Sequence, residues 1–250
     1  MKRKSKAKTS LKKPTFLRRV LRFTLRLFLF MFLSSLLYTI ICKWVMPPIT
    51  LTQISNSFEY GLDRTYIPKN SISPNVRLAA IASEDQNFPD HFGFDFQAIQ
   101  RSLKPKKRKK NKLPLGAAAS TITQQTAKNI FLWQGEGIGK YIRKVPEVYF
   151  TLLIELIWGK QRILEVYLNT IEMGKGIFGI EAASKAYFDK PALNLSRAEA
   201  AMIIACLPNP KKFTVKPVSS RVAWRYPQIL KQMNNLEGDE DVQAIVGPAN

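Results

Sequence analysis

Four groups of residues in this sequence have types and spacings that could do chemistry. The first is Glu84-Asp85, which closes the apolar stretch NVRLAAIASEDQ, with Phe88 and His91 four and seven residues beyond Glu84. Carboxylates at a helix C-terminus oppose the helix dipole and cost a few tenths of a kcal/mol to ~1 kcal/mol. A cost with no evident structural return points to use of the acid, and a carboxylate beside a sugar can serve as base, nucleophile or acid. The second is STITQQ at 120–125, with Lys128 one turn further on. Amides and hydroxyls at a helix start suit phosphate oxygens, although Thr121 and Gln124 also fit ordinary capping-box spacing. In the third, Arg143, Lys144 and Glu147 open the longest apolar helix. A Glu in a first turn is stabilised as a carboxylate, which also satisfies the dipole with no further role. The fourth is YLNTIEMGKGIFGIEAA (167–183), whose Gly174, Gly176 and Gly179 read by themselves as packing around a turn.

The elements that must hold these residues are mostly helices. Ser73-Pro74 is an N-cap followed by Pro at the first helical position. FDFQAIQRSL reads as a short helix that carries Arg101. TQQTAKNIFL follows the Thr121/Gln124 box, GIEAASKAYF is a further helix, and Ser196/Glu199 cap AAMIIACL. Apolar residues recur at helical spacing throughout 146–169, which predicts one long helix there. Residues 49–72 read as a linker with a short irregular region. Few stretches alternate with period two, so the expected class is mainly α.

Composition narrows the function classes. The 250 residues carry a formal net charge of +21. Eleven Lys/Arg fall in 1–26 and seven in 104–112, both free of acid, which leaves 21 basic against 18 acidic residues elsewhere. The charge therefore belongs to two segments, and the fold as a whole is not that of a nucleic-acid binder. Two cysteines and one histidine exclude a disulfide framework and a structural zinc site. Residues 27–42 are uncharged and apolar, and the span 21–46 can cross the ~30 Å hydrocarbon layer if Arg22, Arg26 and Lys43 snorkel. Pro47-Pro48 then stops the helix. The basic N-terminus stays cytoplasmic by the positive-inside rule, which puts the residues after Pro48 outside the cytoplasmic membrane. The expected organisation is a basic cytoplasmic tail at 1–20, an anchor at 21–46, a catalytic domain at 47–215 and a C-terminal extension at 216–250.

Taken together, the four groups resemble the membrane-anchored monofunctional peptidoglycan glycosyltransferases, the glycosyltransferase family 51 domain also found in class A penicillin-binding proteins. EDQNFPDHFG (84–93) is similar to E-D-x-x-F-x-x-H-x-G. STITQQTAKN (120–129) is similar to S-T-I-T-Q-Q-x-x-K-N, RKVPE (143–147) to R-K-x-x-E, and RILEVYLN (162–169) to x-I-L-E-x-Y-L-N. Order and spacing are the family's, and four ordered motifs are far more specific than one. The chain departs from the pattern at GAAAS (116–120), where a glycine usually precedes the serine directly. It departs again in the lengthened GEGIGKYI (135–142), and at Pro146, which a first helical turn tolerates.

The resemblance implies a lysozyme-like lobe with a smaller membrane-contacting lobe. It implies polymerisation of lipid II on a growing lipid-linked chain, with inversion and release of undecaprenyl pyrophosphate. Glu84 would be the general base and Glu147 the second catalytic carboxylate. Asp85, Phe88, His91, Arg101, Ser120, Thr121, Gln124, Gln125, Lys128, Arg143 and Lys144 would line the substrate site, with Lys140 standing in for the family's pyrophosphate arginine. No cofactor is obligatory, and a divalent cation, Mg or Mn, is compatible with the pyrophosphate. The implied partners are lipid II, the growing glycan, the membrane and proteins of cell-wall synthesis or division. Two other readings stand beside this one: a membrane-anchored lytic glycosidase, and a non-enzymatic binder of anionic polymers, which leaves Glu84 and Glu147 unexplained.

Overall fold

The computed structural model describes residues 15–103, 120–134 and 137–247, with side chains omitted at 101–103. It is mainly α. Helix α1 (Phe16–Cys42) is long and apolar enough to cross a membrane. It ends at Cys42, four residues before the expected Met46, and Lys43–Trp44 form a turn ahead of the two prolines. The C-terminal half of α1 is not free. Ser35 Oγ lies 2.9 Å from the Tyr149 hydroxyl, Trp158 Nε1 donates to Thr39 O (2.8 Å), and Arg162 donates to Cys42 O.

The stretch expected as a linker contains helix α2 (Leu51–Tyr60), closed at its start by a Thr50/Gln53 capping box. Its polar sequence hides a buried face of Thr52, Gln53 and Asn56, so hydrophobic periodicity alone misses it. Helix α3 (Pro74–Glu84) starts at the Ser73 cap and buries Val76 and every residue from Leu78 to Ala82. Helix α4 spans Phe96–Leu103 and α5 spans Ile122–Phe131, the latter with the Thr121/Gln124 box complete. A single turn, α6 (Gly139–Ile142), leads into α7 (Lys144–Ile157).

The expected single helix over 146–169 is two. Gly159 adopts φ +77°, outside the helical region, and α8 (Lys160–Thr170) leaves in a new direction. The apolar periodicity continues through the break because both helices face the same core. Three short strands follow the order β1-β3-β2, with β1 (Asp63–Arg64) parallel and β2 (Glu172–Gly174) antiparallel to β3 (Ile177–Phe178). Helices α9 (Ile180–Phe188), α10 (Arg197–Ala205), α11 (Ser220–Leu236) and α12 (Glu240–Val246) complete the chain.

Two helices sit at the centre. Helix α3 packs against α10 and α11, and α5 packs against α7 and α8. Both α3 and α10 carry small buried side chains, Ala79, Ala80 and Ala82 on one and Ala200, Ala201 and Ala205 on the other.

Candidate active site

The C-terminal end of α3 meets the N-terminal end of α5, and the acid pair lies at this junction. Asp85 caps α3 and is buried. Its Oδ2 accepts from the backbone N–H of Ile122, the first residue of α5 (2.9 Å), and its Oδ1 accepts from His91 Nε2 (2.9 Å). The carboxylate that opposes the dipole of its own helix thus complements that of the next. The loop between them is clamped as well. Thr121 Oγ1 donates to Gly93 O (2.7 Å) while serving the capping box with Gln124. Gly93 has φ +78°, and a Cβ there would lie 2.7 Å from Thr151 Cγ2 and 3.1 Å from Glu155 Cγ, so no side chain fits.

A partly buried ion pair supports the loop from behind. Lys160 Nζ donates to His91 O (2.6 Å) and to Glu155 Oε1 (2.7 Å), and lies 4.6 Å from the centre of the Phe88 ring. Thr123 Oγ1 donates to the same Glu155 oxygen (2.6 Å). The sequence reading missed Glu155 and Lys160, although an acid inside an otherwise apolar helix was the available signal. Phe88 is fully buried, and Thr121, Gln124 and the His91 ring are nearly so.

Asp85 is thus bonded to α5 and His91, and Glu84 beside it has other partners. Its Oε1 accepts from Ser83 Oγ (3.0 Å) and its Oε2 from Gln125 Nε2 (3.2 Å). The Tyr167 hydroxyl donates to the other end of that amide, Gln125 Oε1 (3.2 Å). Burial pushes the Glu84 carboxyl above the usual range. The hydrogen bonds from Gln125 and Ser83 and the charge of Arg225 pull it back, and Asp85 adds to the rise. Arg225, on α11, also reaches the carbonyl of Ser83 at 3.5 Å. It lies in a segment with no motif to mark it, so only the fold reveals it.

The cations form the other side. Burial, then the nearby charge of Arg143, lowers the Lys128 ammonium to about 8, with Lys144 in the same direction and Glu147 and Glu84 opposing. Lys128 therefore feels both carboxylates and both cations of the α6–α7 turn. Arg143 is buried and donates through Nη1 to Trp133 O (3.1 Å). Lys144 Nζ donates to Glu147 Oε1. Glu147 Oε2 and Arg143 Nε face each other at 3.9 Å, and both are buried without a hydrogen-bond partner.

Other expected residues are placed differently. Ser120 is half-buried immediately before the Thr121 cap. Lys140 is exposed on α6, and among the described residues it has no ion pair or hydrogen bond that would tie it to the cluster. The side chain of Arg101 and the basic segment 104–112 lie outside the described residues. No three His, Cys, Asp or Glu side chains among the described residues converge as a metal site.

The chain is similar to known proteins over most of its length. A family model described as Transglycosylase matches residues 51–234. The biosynthetic peptidoglycan transglycosylase of Haemophilus influenzae is 50% identical over 183 residues, which is 73% of this chain and 72% of its own. Those of Yersinia pseudotuberculosis serotype O:3 and of Yersinia pestis strain Pestoides F are each 47% identical over 190 residues, or 76% of both chains.

Proposed function

The chain belongs to the transglycosylase family and is a peptidoglycan glycosyltransferase, and from that premise we propose that Glu84 is the general base of lipid II polymerisation. The growing lipid-linked chain is the donor and lipid II the acceptor. The acceptor GlcNAc 4-hydroxyl attacks the anomeric carbon of the donor MurNAc. Its proton passes to Glu84, the bond to pyrophosphate breaks, and a β-1,4 link forms with inversion. The observation that carries this reading is the division of labour between the two neighbouring acids. Asp85 has both oxygens occupied by structural donors, whereas Glu84 is half-buried, is held by two neutral donors, and is raised by burial toward the range useful to a base.

The leaving pyrophosphate is an anion of low basicity and needs charge stabilisation more than protonation. Lys128, Arg143 and Lys144 supply cations across from Glu84. Glu147, buried between Arg143 and Lys144, holds those two side chains in place and orients the acceptor. Gln125 positions Glu84, and Ser120 borders the substrate path. The reading requires no divalent cation at any step.

The anchor places the site where its lipid substrate lies. Helix α1 spans the membrane with its N-terminus in the cytoplasm, and the catalytic unit is extracytoplasmic. The exposed apolar side chains Ile138, Tyr141, Ile142, Val145 and Leu156, on and just before α6 and along α7, are ones we assign to the bilayer surface. Proteins of cell-wall synthesis or division are the partners such a location suits.

Incubation of the purified protein with labelled lipid II tests the reading. Wild-type protein should yield glycan polymer. Glu84→Gln, which keeps shape and removes the proton acceptor, should lose ~10²-fold or more of the rate. A folded Glu84→Gln protein that polymerises normally overturns the assignment, and release of fragments from finished peptidoglycan in place of polymerisation would favour a lytic enzyme.

A further inference from the structure

The hydroxyl of Tyr167 is placed to control which way the Gln125 amide faces. Tyr167 sits in α8 with no exposed surface, in the Y of the I-L-E-x-Y-L-N motif. Its hydroxyl donates to Gln125 Oε1, and the amide's Nε2 donates to Glu84 Oε2, both at 3.2 Å. Burial, together with the charges of Glu84 and Asp85, keeps the phenol protonated well beyond its ordinary range, so it is a lasting donor.

An amide can present either end to Glu84. With its NH2 toward Glu84, it stabilises a carboxylate. Turned round, its oxygen would accept from a protonated carboxyl, and its NH2 would face the Tyr167 oxygen. The phenolic hydrogen would then have no acceptor, since among the described residues Gln125 is its only partner. A buried donor left unpaired is costly. The phenol therefore selects the orientation seen.

We propose that Tyr167 is a positioning residue of the polymerisation reaction: by donating to Gln125 Oε1 it locks the amide with NH2 toward Glu84 and holds that carboxylate in its proton-accepting form. This rests on the reading of Glu84 as the base. The groups facing Glu84 come from every packed element: Ser83 and Asp85 beside it, Gln125 and Lys128 of α5, Tyr167 of α8, Arg225 of α11, and Cys206 at the end of α10. Lys128 and Arg225 favour the ionised form by charge. Cys206 is neutral, its thiol pushed up to about 12 by burial. All of these are unaltered by Tyr167→Phe, which isolates the amide.

The test is the pH profile of kcat/KM for lipid II polymerisation by the full-length protein. Tyr167→Phe should move the acidic limb upward by about one pH unit, a tenfold loss of ionised base below the limb, and the deficit should shrink as pH rises. A role in packing alone would lower the rate by one factor at all pH values. Gln125→Met, which removes the amide, should shift the same limb by at least as much, and Tyr167→Phe added to it should shift it no further. An unmoved limb in either single variant, or additive shifts in the double, overturns the proposal; should the Phe variant fail to fold, the Gln125→Met limb still decides. If Glu84→Gln keeps its turnover, the base reading itself has failed and this one falls with it.

Discussion

Lys128 carries a consequence that belongs to a single side chain. Its ammonium is lowered to about 8 because it is buried among cations, with Glu147 and Glu84 only partly compensating. In the free enzyme the charge is present below that pH and is lost as pH rises through it. A bound pyrophosphate adds negative charge and raises the value. Thus kcat/KM, which reports the free enzyme, should fall above about pH 8, whereas kcat should hold to higher pH. Lys128→Arg stays cationic throughout and should lose the limb near 8, while Lys128→Met should be impaired at every pH. Persistence of that limb in the Arg variant would remove Lys128 from the pyrophosphate site. The residue types at this scale were readable from motif spacing, since Glu84, Gln125, Lys128, Arg143, Lys144 and Glu147 are brought to one locality. The partners of each side chain were not, because they depend on which hydrogen bonds the fold has already used. Asp85 and His91 show this: both lie beside Glu84 in the motif, and Asp85 accepts from His91 Nε2 and from the Ile122 N–H, while His91 Nδ1 is buried without a partner.

At the scale of elements, the site is a junction between two helix ends, and Asp85 is what joins them. Replacing it with Asn removes the charge at the α5 N-terminus and weakens the bond to His91. Given the size of dipole and charged hydrogen-bond contributions, Asp85→Asn should cost ~1–2 kcal/mol. For a chain of this length that is a melting-temperature loss of about 2–8 °C. Turnover should fall with it, because Glu84 is the preceding residue. Calorimetry on Asp85→Asn and Glu84→Gln side by side separates the two acids: the first should melt early, and the second should not. Equal melting temperatures would show that the junction does not depend on this carboxylate. The capping residues Ser73, Thr121 and Ser196 were legible because each acts within one turn of its own helix. The break at Gly159 and helix α2 were not. The first is a change of direction with no change of burial. The second buries polar side chains against partners distant in sequence, such as Asn56 against Glu172 (3.2 Å).

For the whole molecule, the question is how the long apolar helix α1 is joined to the helices that carry the site. Helix α1 is fixed to the rest of the chain by Tyr149, Trp158 and Arg162, and Arg162 also pairs with Glu165 (2.9 Å), whose other oxygen accepts from the backbone N–H of Lys69 (3.0 Å). The end of the anchor is thereby tied to α7 and α8, the helices that flank α5. Tyr141 on α6 and Leu156 on α7 are 77% and 71% exposed. In water, exposed apolar area of this kind is unfavourable at roughly 25 cal/mol per Å², and a bilayer removes the cost. Both native cysteines are buried, so a cysteine introduced on the surface can be labelled selectively. With an environment-sensitive fluorophore at Tyr141→Cys or Leu156→Cys in the full-length protein reconstituted in vesicles, emission should shift to the blue and be quenched by lipid-borne quenchers. The same label at Asn235→Cys, exposed near the end of α11, should remain in water. Water-like emission at both 141 and 156 would mean that α1 alone meets the membrane and that the α6–α7 face is turned to another partner.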